Sequence, residues 1–210
     1  MNLPNEELSS YIRALHDGYD ETVLVEMEAL AKERGFPIVG RVVGASLELF
    51  ARAVGAKRVF EMGSGFGFSG YWFSRAVGAS GEVILTDGEA DNAKAAQEFL
   101  TKANLWAPCN FLVGDAIEAL GKVDGEFDVI YCDIDKGDYP RAFAEARDRV
   151  RVGGLFICDN VLWSGRVASD DADPWTEAIR QQSKDIFADA DYLATIVPIR
   201  DGVIFALRVS

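Results

Sequence analysis

The 210-residue chain predicts a doubly wound α/β domain with a mostly parallel sheet and helices on both faces. Three observations carry this. From residue 58 onward, short apolar β runs alternate with stretches of helical periodicity. A glycine-rich turn follows the first β run. The chain closes with two β runs joined through Asp201-Gly202, a strong hairpin signal.

The elements follow in order. Pro4-Asn5-Glu6-Glu7 opens a helix that carries Tyr11, Ile12 and Leu15 and stops near Gly18. Asp20-Glu21 opens a second, with Val23, Leu24, Met27 and Leu30 at helical spacing, and Gly35-Phe36-Pro37 breaks it. A third carries Val42, Val43, Leu47, Leu49 and Phe50 and ends at Gly55. Strands are then expected over residues 58–62, 82–87, 110–113, 127–132 and 154–158. The helices between and after them are expected over residues 69–77, 92–103, 115–120, 139–150 and 174–187. The closing runs, residues 193–199 and 203–209, bring the sheet to seven strands and place an antiparallel strand at or near one edge. There is no internal repeat, low-complexity stretch or linker, so residues 1–210 read as one domain.

Composition narrows the function. The net charge is −13, and no cluster of Lys and Arg is present to displace counterions from phosphates. Nucleic acid and anionic membranes are therefore not expected partners. No apolar run approaches the ~20 residues of a membrane span. Residues 1–7 lack a basic segment followed by an apolar one, so no secretory leader is expected and a cytoplasmic location is. The three cysteines, Cys109, Cys132 and Cys158, form no C-x-x-C pair, and His16 is the one histidine, which argues against zinc chemistry. Cys132 and Cys158 sit in apolar runs and read as buried thiols.

In a sheet of this kind ligands bind at the carboxyl ends of the strands. There the chain carries Glu61 with its glycine loop, Asp87, Gly114-Asp115, Asp133-Ile134-Asp135-Lys136 and Asp159-Asn160. A purely structural sheet needs no acid at nearly every exit. Gly63, Gly65 and Gly67 let the backbone turn sharply and approach a ligand. Their spacing lacks the G-x-G-x-x-G pattern of dinucleotide enzymes, and Phe66 and Phe68 crowd a helix start that a pyrophosphate would want open. Asp87 suits the two hydroxyls of a ribose, or caps the next helix. Asp115 suits a cap or the wall of an adenine pocket. Asp133 and Asp159 leave adjacent strands, so their carboxylates can converge. With the Asn160 amide oxygen they form a hard oxygen set of the kind Mg²⁺ or Ca²⁺ prefers; helix capping and solvated loop acids are the plainer alternative.

These residues resemble the metal-dependent O-methyltransferase family that includes catechol and caffeoyl-coenzyme-A O-methyltransferases, from about residue 35 onward. Glu61-Met62-Gly63-Ser64-Gly65-Phe66-Gly67-Phe68-Ser69 resembles its first motif. Asp87 matches its ribose acid, and Gly114-Asp115-Ala116 its adenine-side motif. Asp133-Ile134-Asp135-Lys136-Gly137-Asp138-Tyr139 resembles its D-x-D-K-x-x-Y, with Asp138 where many members have Asn. Asp159-Asn160-Val161-Leu162-Trp163-Ser164-Gly165 resembles its D-N-x-L-W-x-G.

The resemblance implies a Rossmann-like methyltransferase fold and use of S-adenosylmethionine. It implies cofactor contacts from Glu61, Gly63, Ser64, Gly65, Ser69, Asp87, Asp115, Ala116, Asp133 and Asp135. It implies Asp133, Asp159 and Asn160 as ligands of Mg²⁺, Mn²⁺ or Ca²⁺, and a homodimer. The expected acceptor is a small catechol-like phenol, with Lys136 as its base or as a group that steadies the phenolate, beside Asp133. Tyr139, Trp163 and Trp175 are candidate apolar walls. Three rivals fit less well. A non-catalytic binder, or a methyltransferase acting on protein, has no need of the acid pair. A nicotinamide oxidoreductase would space its glycines differently. A nucleic-acid base methyltransferase would carry an Asn/Asp-Pro-Pro-aromatic motif where Asp133-Ile134-Asp135-Lys136 stands.

Overall fold

The structure, a computed structural model, describes residues 6–16 and 22–210. Pro4-Asn5, Gly18 and Asp20-Glu21, read above as helix signals, lie outside them. Three helices come first: α1 (Glu6–His16), α2 (Thr22–Arg34) and α3 (Gly40–Ala53). The alternation then runs β1 (Arg58–Met62), α4 (Phe68–Val77), β2 (Glu82–Asp87), α5 (Ala90–Lys102), β3 (Cys109–Val113), α6 (Ala116–Lys122) and β4 (Phe127–Cys132). It continues through α7 (Tyr139–Ala146), β5 (Val150–Cys158) and α8 (Pro174–Ala188) to the hairpin β6 (Tyr192–Val197) and β7 (Val203–Arg208).

The described residues form a seven-stranded sheet in the order β3-β2-β1-β4-β5-β7-β6. β1 to β5 are mutually parallel, and β7 runs antiparallel to both β5 and β6. The hairpin across Arg200-Asp201-Gly202 is as expected, with Arg200 and Gly202 both at positive φ.

Side chains alternate between two cores because successive strand residues point to opposite faces. Val59, Val83, Leu85, Val129, Tyr131 and Ile157 face the layer that holds α2, α3 and α4. Phe60, Met62, Ile84, Ile130, Phe156 and Cys158 face α6, α7 and α8. Cys132 and Cys158 are buried free thiols, as the sequence predicts.

Caps fix where helices start. The Asp115 side chain accepts the Glu118 N–H at 2.7 Å to open α6, and Asp173 accepts the Trp175 N–H at 2.9 Å to open α8. Two expectations need correction. The helix expected over residues 139–150 ends at Ala146; Arg147–Arg149 form a 3-10 turn and Val150 already belongs to β5. The Arg149 guanidinium there donates to the carbonyls of Leu120, Val123 and Gly125, a tertiary clamp that local periodicity does not reveal. Leu49, expected on the packed face of α3, is 64% exposed, while Val43, Leu47 and Ala51 carry the packing.

The strand order reverses between β1 and β4, and in such sheets a crevice forms outside the carboxyl ends at this switch point. No helix among the described residues is long and apolar enough to cross a membrane.

Candidate active site

A cavity of about 750 Å³ lies at that end of the sheet and collects the residues that follow β1 to β5. Gly63, Ser64, Gly65 and Ser69 border it, as do Asp87, Asp115 and Ala116. So do Asp133, Asp135, Lys136, Asp159, Asn160, Trp163 and Trp175. Residues far apart in sequence thus meet because parallel strands deliver all their exits to one edge.

The glycine loop is built by close approach. A Cβ on Gly63 would stand 2.2 Å from the backbone oxygen of Asp133, and one on Gly65 2.7 Å from the Phe36 ring. Both have positive φ, at 84° and 49°, which a side chain would make costly. Ser64 pins the loop to β2: its N–H donates to the Thr86 carbonyl at 2.7 Å, and its Oγ accepts the Thr86 N–H at 3.0 Å. Asp87 holds the other side. Its Oδ2 accepts the Gly65 N–H at 3.1 Å, and its Oδ1 accepts from the Glu89 N–H at 2.9 Å and the Asn92 amide at 3.0 Å. An ionised carboxylate offers about four acceptor sites, so one remains for a ligand hydroxyl. Gly114, at φ 143°, has nothing within 4 Å of its would-be side chain and leaves the wall beside Asp115 open.

Glu61 is placed differently from the other expected contacts. It is fully buried and does not line the cavity. Ser69 Oγ donates to its Oε1, while Oε2 has no hydrogen-bond partner. Burial pushes the Glu61 carboxyl up to about 8, against the Ser69 hydrogen bond. Ser69, itself a cavity residue, stands between Glu61 and any ligand-facing role.

The second cluster follows β4 and β5, whose parallel pairing sets Cys132 beside Cys158 and so aligns the next residues. Lys136 Nζ donates to Asp133 Oδ1 at 3.0 Å, Asn160 Oδ1 at 2.9 Å, the Ile134 carbonyl at 3.2 Å and the Tyr139 hydroxyl oxygen at 2.7 Å. Its partner is therefore Asp133, neither Asp135 nor Asp138. Asp159 is buried, and its Oδ1 accepts the Asn160 N–H at 2.7 Å. Burial first, and the neighbouring Asp133 carboxylate second, push the Asp159 carboxyl up to about 7. Asn160 holds a left-handed φ of 59°, and its amide oxygen accepts from Lys136 Nζ.

These residues fit a divalent cation by their chemistry. Two carboxylates and an amide oxygen lie together, the Asp133 charge adds to burial in raising the proton affinity of Asp159, and a positive charge already stands between Asp133 and Asn160. Among the described residues no three His, Cys, Asp or Glu side chains form a metal-holding group.

Tyr139 corrects the reading of it as a wall. It is fully buried and absent from the cavity lining, and its hydroxyl donates to the Asp159 carbonyl at 2.8 Å. Trp163 and Trp175 do border the cavity and meet edge to face, with ring centroids 6.3 Å apart. Phe66 and Phe68 also border it, as do Phe36, Ile38 and Arg200, which the sequence did not mark as site residues. Phe66 and Phe68 adjoin the glycine motif and were legible there as crowding, whereas Phe36 and Arg200 carry no local signal.

Comparison with known proteins agrees with this arrangement. The family model described as O-methyltransferase matches residues 16–209. A protein of Niastella koreensis named catechol O-methyltransferase is 30% identical over 199 residues, covering 91% of this chain and 90% of its own length. An O-methyltransferase of Bacillus cereus, solved in complex with SAH, superposes with a TM-score of 0.86 at 25% identity, covering 94% of this chain and 97% of that one. The O-methyltransferase TomG of Streptomyces achromogenes, involved in tomaymycin synthesis and solved with SAM, shares the fold with a TM-score of 0.90 at 24% identity over 99% of this chain and 100% of its own. With the motifs, the sheet order and the cavity in agreement, the chain belongs to the O-methyltransferase family and is an enzyme of methyl transfer.

Proposed function

We propose that the protein moves a methyl group from S-adenosylmethionine to a hydroxyl of a small catechol-like phenol, with Asp133, Asp159 and Asn160 holding a divalent cation, Mg²⁺ or else Mn²⁺ or Ca²⁺. The observation that carries this reading is the meeting of Lys136, Asp133, Asp159 and Asn160 in the same cavity as the glycine loop. The name of the Niastella koreensis relative supports a catechol acceptor.

The donor's methyl group sits on a sulfonium and is electrophilic without further activation. The protein's task at that side is to hold it. Asp87 offers its spare acceptor site to a ribose hydroxyl, the glycine loop with Ser64 and Ser69 receives the methionine part, and Asp115 with Ala116 walls the adenine. Glu61 supports Ser69 from below.

A cation bound by the acids would lower the pKa of a chelated phenol from its ordinary value near ~10. Lys136, beside Asp133 in the same cavity, would receive the acceptor hydroxyl's proton or steady the phenolate at Nζ. Trp163 and Trp175 flank an aromatic acceptor and exclude water. Alignment of oxygen and methyl accounts for the rest, an effect worth up to ~7–11 kcal/mol in favourable cases.

The test is methyl transfer from S-adenosylmethionine to a panel of catechols, with and without chelator, beside D159A. Transfer that needs added Mg²⁺ and vanishes in D159A is the expected result. Chelator-insensitive transfer, or none to any vicinal diol, overturns it and leaves methyl transfer to another acceptor.

A further inference from the structure

Lys136 Nζ has three hydrogens and four acceptors within 3.2 Å. Two of those acceptors, Asp133 Oδ1 and Asn160 Oδ1, are oxygens that the reading above gives to a metal. The Lys136 side chain is 12% exposed, so its charge is neutralised by these oxygens more than by water. The Tyr139 hydroxyl fixes the ammonium there, because its own hydrogen is committed to the Asp159 carbonyl and only its lone pair is left to face Nζ.

An ammonium that donates to both Asp133 Oδ1 and Asn160 Oδ1 stands where a divalent cation bridging the same two oxygens would sit, and two positive charges that close repel. We propose that Lys136 is the built-in counter-ion of the metal site: it latches Asp133 and Asn160 in the metal-free protein, and loading the cation requires its displacement. This rests on the proposed metal site. Two consequences follow. The Asp133 carboxylate and the Asn160 amide oxygen are held together in the metal-free site, both of them on Lys136 Nζ. Loading also releases Lys136 Nζ from two of its acceptors, so that the side chain becomes available to an acceptor hydroxyl only once the cation is in place.

A ligand that must displace an occupant binds with its intrinsic affinity multiplied by the fraction of open sites. Removing the latch therefore tightens cation binding. Removing any positive charge nearby does so too, by simple electrostatics, and the test must separate the two. Arg200 supplies the control. It borders the same cavity and acts on Asp159 through its charge, but makes no hydrogen bond to the acids.

Full-length protein stripped with chelator is titrated with Mn²⁺, and free Mn²⁺ is read by electron paramagnetic resonance, for wild type, K136M, R200M and D159N. K136M is expected to bind about tenfold tighter than wild type or more, R200M within about threefold, and D159N to lose the site. Equal tightening in K136M and R200M overturns the latch and leaves ordinary charge repulsion. No tightening in K136M, with binding still abolished in D159N, overturns the latch and leaves the metal site standing. No Mn²⁺ binding by any chain overturns both. Should K136M not fold, wild type decides alone. Acetylation of Lys136 by acetic anhydride, followed by peptide mass spectrometry, is expected to speed up severalfold on adding Mg²⁺, and unchanged or slower labelling overturns the proposal.

Discussion

Lys136 Nζ stands 2.7 Å from the hydroxyl of Tyr139, and that hydroxyl donates to the carbonyl of Asp159 at 2.8 Å. One phenol thus ties the residue after β4's exit loop to the backbone at the end of β5. Replacing it by Y139F keeps the ring in its buried place but leaves the Asp159 carbonyl only the weak Cys158 thiol donor at 3.7 Å, and removes an acceptor from Lys136. Leaving a buried polar group unsatisfied costs ~1–3 kcal/mol, so the urea midpoint should fall accordingly. Because Tyr139 does not line the cavity, donor affinity should hold while kcat declines. Unchanged stability together with a raised KM for the phenol would instead make Tyr139 a wall after all.

Two glycines predict opposite effects. G63A drives a Cβ against the backbone oxygen of Asp133 at a positive φ, so both clash and conformation oppose it. A left-handed residue costs ~1–2 kcal/mol and overpacking ~1–3 kcal/mol, which sets the expected loss at a few kcal/mol with failure to bind S-adenosylmethionine. Gly121 lies within α6 with nothing within 4 Å and no positive φ. G121A should therefore stabilise the protein by ~0.5–1 kcal/mol. Calorimetric melting of the two variants side by side checks both signs.

The buried Glu61 carboxyl gives a pH dependence. Its value in the folded protein is about 8, against an ordinary 4.5, so between those limits the folded state keeps a proton that the unfolded chain releases. The stability linked to it is complete below about 4.5, drains as the pH rises, and is gone above about 8. E61Q cannot ionise and should flatten that decline. The quantity to measure is the difference in unfolding free energy between wild type and E61Q at pH 5, 6.5 and 8. It should shift in favour of E61Q as the pH rises, by at most ~1.4 kcal/mol per pH unit. A constant difference across the range would mean that Glu61 is charged in the folded protein.

The sequence made the strand exits readable because parallel strands must deliver them to one edge; Asp133 and Asp159 converge for that reason alone. The glycine loop was readable because Gly63 and Gly65 sit where a side chain has no room. What stayed hidden was set by contacts between distant segments. The helix after Tyr139 gives way early to a turn in which Arg149 reaches the carbonyls of Leu120 in α6 and of Val123 and Gly125 on the α6–β4 connection. Tyr139 turned inward because the Asp159 carbonyl needed a donor. Phe36 reaches the loop from the break after α2, and Arg200 reaches the cavity from the β6–β7 turn. Neither placement leaves a trace in local periodicity.

Trp175 offers the most direct probe of the acceptor side. It is 51% exposed, opens α8 behind the Asp173 cap, and meets Trp163 edge to face at the cavity rim. A large aromatic kept half in water contributes little to the core, so W175A should leave the melting temperature within a few degrees. If the two rings flank an aromatic acceptor, W175A removes one contact of ~0.5–1.5 kcal/mol, and KM for the phenol should rise about two- to tenfold. The dissociation constant for S-adenosylmethionine should stay put, since Trp175 is assigned to the acceptor's side of the cavity together with Trp163. Steady-state kinetics with the best catechol of the panel, paired with calorimetric donor binding, separates the two. A loss of donor affinity equal to the change in KM would move Trp175 to the donor's side of the cavity and take the acceptor wall with it.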